Sequence, residues 1–316
     1  MILVTGGTGF IGRALIQYLV AEGREVRTLV RPASESPELP KGVPVEIAIS
    51  SITDERSLRA ALVGVDTVYH LVGGEWLGTS ADLQAIEAQG TLNLVNEAKD
   101  AGVKRIFYVS HIGADRGSAY AVLKVKGIAE QHIINSGINY TILRSGLVFG
   151  PDDHFTTAIA RLTRFFPFIF PMPGDGSVMV HPLWVEDLVT CLAWALDNPE
   201  TVNQVYEVGG PEALPFTEVL QAVMAVTGQS KRLWGVRPSN MRLAGVFLEY
   251  LFPNLPLSVY WVDYLAGNRT ASLDTIPRVF GLMPRRFVHH LDYLIDTGTS
   301  GSRLSKLLRR NRESTS

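Results

Sequence analysis

At 316 residues, with 29 basic and 31 acidic side chains and a formal charge of −2, the chain can bury a large core and has no basic excess for a nucleic-acid partner. One cysteine, Cys191, rules out an intrachain disulfide and suits a reducing, cytoplasmic setting. The seven histidines are scattered without His-x-x-x-His or Cys/His spacing, so no metal site is expected.

Residues 2–4 are a short apolar run that reads as a buried strand starting beside Met1, which predicts no cleaved targeting segment. Gly6, Gly9 and Gly12 follow at three-residue intervals, and residues 13–21 carry helical apolar spacing through Ala14, Leu15, Tyr18 and Leu19 before Gly23. Strand, glycine turn and helix N-terminus together form a cradle for a pyrophosphate. Gly6 permits the turn, Gly9 lets backbone approach a phosphate, and Gly12 lets helix and strand pack closely. Free amides and the helix dipole then face the anion. A P-loop is excluded, because no Gly-Lys-Ser/Thr follows.

Further strands are predicted at 25–30, 45–49, 66–71, 105–110 and 140–143. They alternate with helices at 54–62 (capped by Thr53 or Asp54), 82–101 and 118–135. Such alternation requires parallel pairing through right-handed crossovers, hence an α/β, doubly wound parallel sheet. From Pro151 the texture changes, with Pro167, Pro171, Pro173 and the turn at Pro173-Gly-Asp-Gly176 interrupting the pattern. A helix at 184–197 and a strand at 204–208 are expected to rejoin the sheet. The division is therefore a dinucleotide-binding domain over 1–150, its sheet completed by 182–210. A smaller, mostly helical substrate- or partner-binding part spans 151–181 and 211–300, followed by a flexible basic tail over 301–316.

Residues 243–262 are strongly apolar, but Glu249, Pro253, Asn254 and Pro256 argue against a membrane span. They read as core or lip of the smaller part, or as a membrane-surface or partner-docking patch, and 165–171 reads the same way. The tail, with Arg303, Lys306, Arg309, Arg310 and Arg312, reads as a solvated end or an attachment to anionic lipid.

The ribose reader belongs at the end of the second strand. Arg31, with Ser34 close by, stands where an acid would hold the 2′-hydroxyl of NAD, so the charge argument favours NADP over NAD.

Taken together, Thr5-Gly-Gly-Thr-Gly-Phe-Ile-Gly12, Tyr69-His-Leu-Val72, Gly90-Thr-Leu-Asn-Leu94, Tyr108-Val-Ser110, Leu143-Arg144 with Phe149-Gly-Pro151, and Pro182-Leu-Trp-Val-Glu-Asp187 resemble blocks of the short-chain dehydrogenase/reductase superfamily. The likeness is to its extended, epimerase-like and atypical branches. Phe280-Gly-Leu-Met-Pro284 and Leu291-Asp-Tyr293 are most similar to the branch holding the Rossmann-fold accessory subunit of respiratory complex I. The resemblance implies cofactor contacts from Gly6, Thr8, Gly9, Phe10, Ile11, Gly12, Arg31, Ser34, Ile52, Leu71, Val72, Gly73 and Lys124.

It also implies catalysis by a Tyr-x-x-x-Lys pair, here Tyr120 and Lys124, helped by Ser110. The ammonium lowers the phenol's pKa and bonds the nicotinamide ribose, and the phenol exchanges a proton as hydride moves. A second register sets Lys126 and Glu130 on the family's Lys-x-x-x-Glu and leaves Val122 in the tyrosine's place. The two lysines point about 200° apart on a helix, so only one can face the cofactor.

Departures from the family include Ser50-Ser51-Ile52 where an adenine-binding Asp is usual, Glu87 for an Asn, His111-Ile112 where hydroxyls are usual, and Ser145 after Arg144. His111 reads either as an acid or base in the cleft or as a plain loop histidine. The expectation is an NADP-dependent oxidoreductase acting on an alcohol or carbonyl of an apolar, quinone- or isoprenoid-like small molecule. A nucleotide-holding structural or redox-sensing subunit and an NAD-dependent epimerase or dehydratase are the alternatives.

Overall fold

The computed structural model describes residues 1–32, 38–74, 78, 81–251 and 258–296; Ser34 and the basic tail lie outside them. The first half runs β1 (Ile2–Thr5), α1 (Phe10–Ala21), β2 (Val26–Val30), β3 (Glu46–Ile49), α2 (Glu55–Ala61) and β4 (Thr67–His70). A π-helical turn over Gln84–Gln89 then leads into α3 (Gly90–Asp100), followed by β5 (Arg105–His111), α4 (Ala121–Ile134) and β6 (Asn139–Ser145). The second half runs β7 (Leu147–Phe149), α5 (Thr156–Phe165), β8 (Ile169–Pro173), β9 (Met179–Val180), β10 (Pro182–Trp184), α6 (Val185–Asp197), β11 (Gln204–Val208) and β12 (Leu214–Pro215). It ends with α7 (Phe216–Val226), β13 (Arg232–Val236), α8 (Pro238–Leu251), α9 (Val259–Tyr264), α10 (Thr275–Phe280) and α11 (Tyr293–Asp296).

Seven strands form one parallel sheet in the order β11-β6-β5-β4-β1-β2-β3, with Val4 beside both Thr28 and Tyr69. Every residue of β1 and β4 is buried, as parallel strands covered on both faces require. On one face Leu15, Ile16 and Leu19 of α1 pack with Leu188 and Leu192 of α6. On the other, Leu58, Leu94, Ala98 and Ile133 come from α2, α3 and α4. Burying each such aliphatic side chain contributes roughly 1.5–3 kcal/mol. The chain reverses its strand order at β1, between β2 and β4, so a crevice opens at the carboxyl ends there. A third apolar cluster, built from α5, α7, α9 and α11 around Phe149, Phe155 and Phe287, stands over that edge.

Two helices differ from the sequence reading. The run expected as one helix over 82–101 begins with a wide π turn, and Glu87 within it is buried. The helix expected from 118 begins only at Ala121. Side chains compete for its first turn: Asp115 accepts from Gly117 N, and Ser118 Oγ accepts from Tyr120 N. Tyr120 is left extended at the N-cap, φ −90 and ψ 122.

Candidate functional site

The glycine loop is shaped by close backbone approach. Gly6 has φ +74, and a Cβ there would lie 2.6 Å from Leu71 O. One on Gly12 would lie 2.2 Å from Gly6 O, while one on Gly9 would meet only Gly6 O, at 3.2 Å. The loop is thus dense on the strand side and open outward. Gly9 N donates to Gly6 O (2.9 Å), and no side chain caps α1. The first-turn amides of α1 therefore keep the character of an anion site, and this bare cradle fits a diphosphate. Arg13 braces it, donating to Thr8 O (3.0 Å) and pairing with Asp152 (3.2 Å).

Around the cradle, Leu71, Val72 and Gly73 leave the end of β4 partly exposed, and Arg31 follows β2 in solvent. Ile52 is buried against Gly90, where a Cβ would come within 2.9 Å of its methyl.

Behind the loop runs a buried polar chain. Thr5 Oγ1 and His70 Nδ1 are 2.7 Å apart, and His70 Nε2 and Thr91 Oγ1 are 2.9 Å apart. Thr91 Oγ1 donates to Glu87 O (2.5 Å), and the Glu87 carboxylate accepts from Gly74 N (3.2 Å). Its other oxygen stands 3.1 Å from Lys126 Nζ, an ion pair with both side chains essentially out of solvent. Burial, and secondarily the Lys126 charge, push the His70 pKa down to about 3. His70 is therefore neutral in the fold.

The two lysines of α4 are separated as helix geometry demands. Lys126 faces inward, 5.3 Å above the Tyr108 ring, and Lys124 is exposed. Tyr120 and Lys124, expected at the cleft, do not line it: the chain enters α4 only after Tyr120, and Lys124 lies on the face of α4 turned away from Lys126. Val122, one turn before Lys126, is buried beside Leu147, Phe149 and Trp184. Ser110 is also buried and off the cavity, since the pleat turns its neighbours Val109 and His111 there instead. Glu130 takes no part in the cavity; it holds Arg144 at 2.6 Å.

A cavity of about 110 Å³ lies at the carboxyl edge, between Phe10, Ile11 and Leu71 on one side and His111, Lys126 and Ser145 on the other. Tyr260, Trp261 and Tyr264 of α9 roof it, with the His111 and Tyr260 rings 5.6 Å apart. Burial raises the Tyr264 phenol well above its ordinary value, which keeps it neutral. The roof comes largely from the 243–262 run expected at the core or lip of the smaller part, continued to Tyr264, with Tyr260 and Tyr264 one turn apart behind a Ser258 cap.

A profile described as NAD(P)H-binding matches residues 6–163. The chain is 30% identical over 295 residues to an NAD(P)H azoreductase from Xenophilus azovorans, covering 91% of this chain and 95% of that protein. It is 27% identical over 227 residues to the mitochondrial NADH dehydrogenase [ubiquinone] 1 alpha subcomplex subunit 9 of Arabidopsis thaliana, covering 69% of this chain and 56% of that subunit. Its fold is shared with an Escherichia coli NADPH-dependent quinone oxidoreductase solved with NADPH. There the TM-score is 0.73 at 22% identity, over 93% of this chain and 99% of that one. With the glycine cradle, these likenesses establish that the chain belongs to the NAD(P)H-binding family, and its Rossmann fold is the one that epimerases and short-chain dehydrogenases/reductases share.

Proposed function

We propose that the protein is an NADP(H)-dependent reductase of an apolar, conjugated acceptor of the quinone class. The observation that carries this reading is the pairing of a buried Lys126 with Val122 in the place of a phenol. Reducing an unactivated ketone requires an acid beside the carbonyl. A conjugated acceptor needs none there, because the anion left by hydride addition is delocalised and takes its proton from water or from His111 in the cavity wall. The aromatic roof of α9 suits a flat ring, and the relatives named for azo and quinone reduction support an acceptor of this kind.

The Gly6–Gly12 loop holds the diphosphate, Lys126 the nicotinamide ribose, and Phe10, Ile11 and Leu71 form the floor under the ring. Bound NADPH supplies the hydride. Arg31, with no acid beside it among the described residues, favours the 2′-phosphate and hence NADP over NAD.

Steady-state turnover with NADPH and NADH against a benzoquinone, a naphthoquinone, a simple aliphatic ketone and UDP-glucose tests the proposal. NADPH-dependent loss of quinone, and no change in the ketone or the sugar nucleotide, is expected. Turnover of UDP-glucose alone would overturn it.

One feature favours a second reading, a subunit that holds nucleotide without turning it over: Lys126 is already engaged by the buried Glu87. NADPH that copurifies and is consumed by none of the four acceptors would establish that reading instead.

A further inference from the structure

A second apolar groove, about 70 Å³, lies between α5, β8, α8 and α9, lined by Ala158, Phe170, Pro171, Met241 and Leu265. It shares Phe155 and Trp261 with the cavity at Lys126, so these two side chains line both spaces. The surface around it is unusually apolar. Phe165, Phe168, Trp234, Phe247 and Tyr250 are 69%, 80%, 62%, 61% and 84% exposed. Along α8, Leu243, Phe247 and Tyr250 stand at i, i+4 and i+7, and no residue of this 14-residue helix is buried. Pairing of β13 with β8 brings Arg232 beside Ile169 and Trp234 beside Pro171, while Lys231 Nζ donates to Pro167 O (2.9 Å).

Charge selects what covers this face. Residues 161–173 and 231–251 carry Arg161, Arg164, Lys231, Arg232, Arg237 and Arg242 against a single acid, Glu249, in a chain that is net acidic. Glu249 is turned inward onto Val259 N (2.5 Å), and Arg242 is paired with Asp263 (2.9 Å). A second copy of the chain would set cations against cations. Exposed Trp, Tyr and Phe among Arg and Lys match the headgroup region of a bilayer, where rings sit at the acyl boundary and cations meet phosphates.

We propose that this face docks on the surface of an anionic lipid bilayer, with α8 and the edge formed by Phe168 and Trp234 entering the headgroup region. The docking stands on the patch itself. Its use, passing an apolar acceptor from the bilayer along the groove to the cavity, rests on the reductase reading above.

Co-sedimentation of the full chain with phosphatidylcholine vesicles, with and without phosphatidylglycerol, is the test. Binding only to the anionic vesicles, weakening as salt rises, is expected. The pairs Phe168→Ser with Phe247→Ser, and Lys231→Glu with Arg232→Glu, each lower the partition coefficient by on the order of tenfold. Their melting and their NADPH-binding heat stay unchanged, which shows that they fold. No sedimentation of the wild-type chain with anionic vesicles overturns the proposal. So does equal sedimentation of the variants, which would put the contact elsewhere, and so does a dimer in light scattering that Phe247→Ser dissociates. Vesicle binding without quinone turnover would sink the reductase reading and leave the docking surface standing.

Discussion

Glu87 and Lys126 sit 3.1 Å apart with almost no exposure, and each is costly without the other. Removing one partner of a buried pair leaves an uncompensated charge and typically destabilises by about 3–5 kcal/mol. Lys126→Met is expected to lower unfolding free energy by that amount in urea titrations, and adding Glu87→Leu is expected to restore most of it. Quinone turnover is lost in both, which separates the lysine's role at the ribose from its role in the fold. Tyr120→Phe changes turnover by less than about twofold, because the side chain starts outside α4 and away from the cavity.

His70, in the same chain of bonds, sets a pH dependence. Its folded pKa of about 3 lies below the ordinary 6.5, so the unfolded state binds the extra proton between those values. The stability tied to neutral His70 is fully present above pH 6.5 and is lost as pH falls toward 3, at about 1.4 kcal/mol per pH unit. Urea unfolding at pH 7 and pH 4.5 reads this slope, and His70→Asn flattens it.

Among the elements, the glycine loop is the most constrained. A Cβ on Gly12 would stand 2.2 Å from Gly6 O and 2.7 Å from Gly7 Cα, both backbone atoms that cannot swing away. Gly12→Ala is expected to raise the NADPH Kd by on the order of a hundredfold, about 2.7 kcal/mol by calorimetry. Gly23, at the end of α1 with φ +74, has nothing near its Cβ position. Gly23→Ala should cost about 1 kcal/mol of stability and leave Kd unchanged, so equal Kd effects in the two variants would show that strain, rather than the cradle, matters. The sheet and this loop were legible because β1, β2, β4 and β5 are apolar runs punctuated by glycine, a signal carried within a few residues. The start of α4 was not legible. Tyr120 and Lys124 have helical spacing, yet Asp115 and Ser118 take the amides that a first turn would need. The π turn at Glu87 was hidden too, since the partner of this buried carboxylate stands on α4 some forty residues away. The α9 roof reaches the cavity only through tertiary packing.

At the scale of the whole molecule, the sheet edge and the helical second half meet at Trp261. Its ring lies 4.5 Å from that of Phe155, and both line the cavity at Lys126 and the groove beyond it. The two spaces, of about 110 and 70 Å³, share these side chains, so a bulkier acceptor is expected to be limited by them. Trp261→Ala removes one of the two side chains that line both spaces and is expected to widen the way between them. The expected result is a rise in kcat/KM for a naphthoquinone relative to a benzoquinone of on the order of tenfold, about 1.4 kcal/mol of differential transition-state binding. Because Trp261 is only partly buried, the stability loss should stay below the 3–5 kcal/mol of a fully buried tryptophan. NADPH should still raise the melting temperature of the variant as it does in the parent, since the diphosphate cradle lies on the other side of Phe10 and Ile11. A variant that keeps the parent's ratio between the two quinones would mean that the acceptor reaches Lys126 by another route, and that the groove is packing rather than passage.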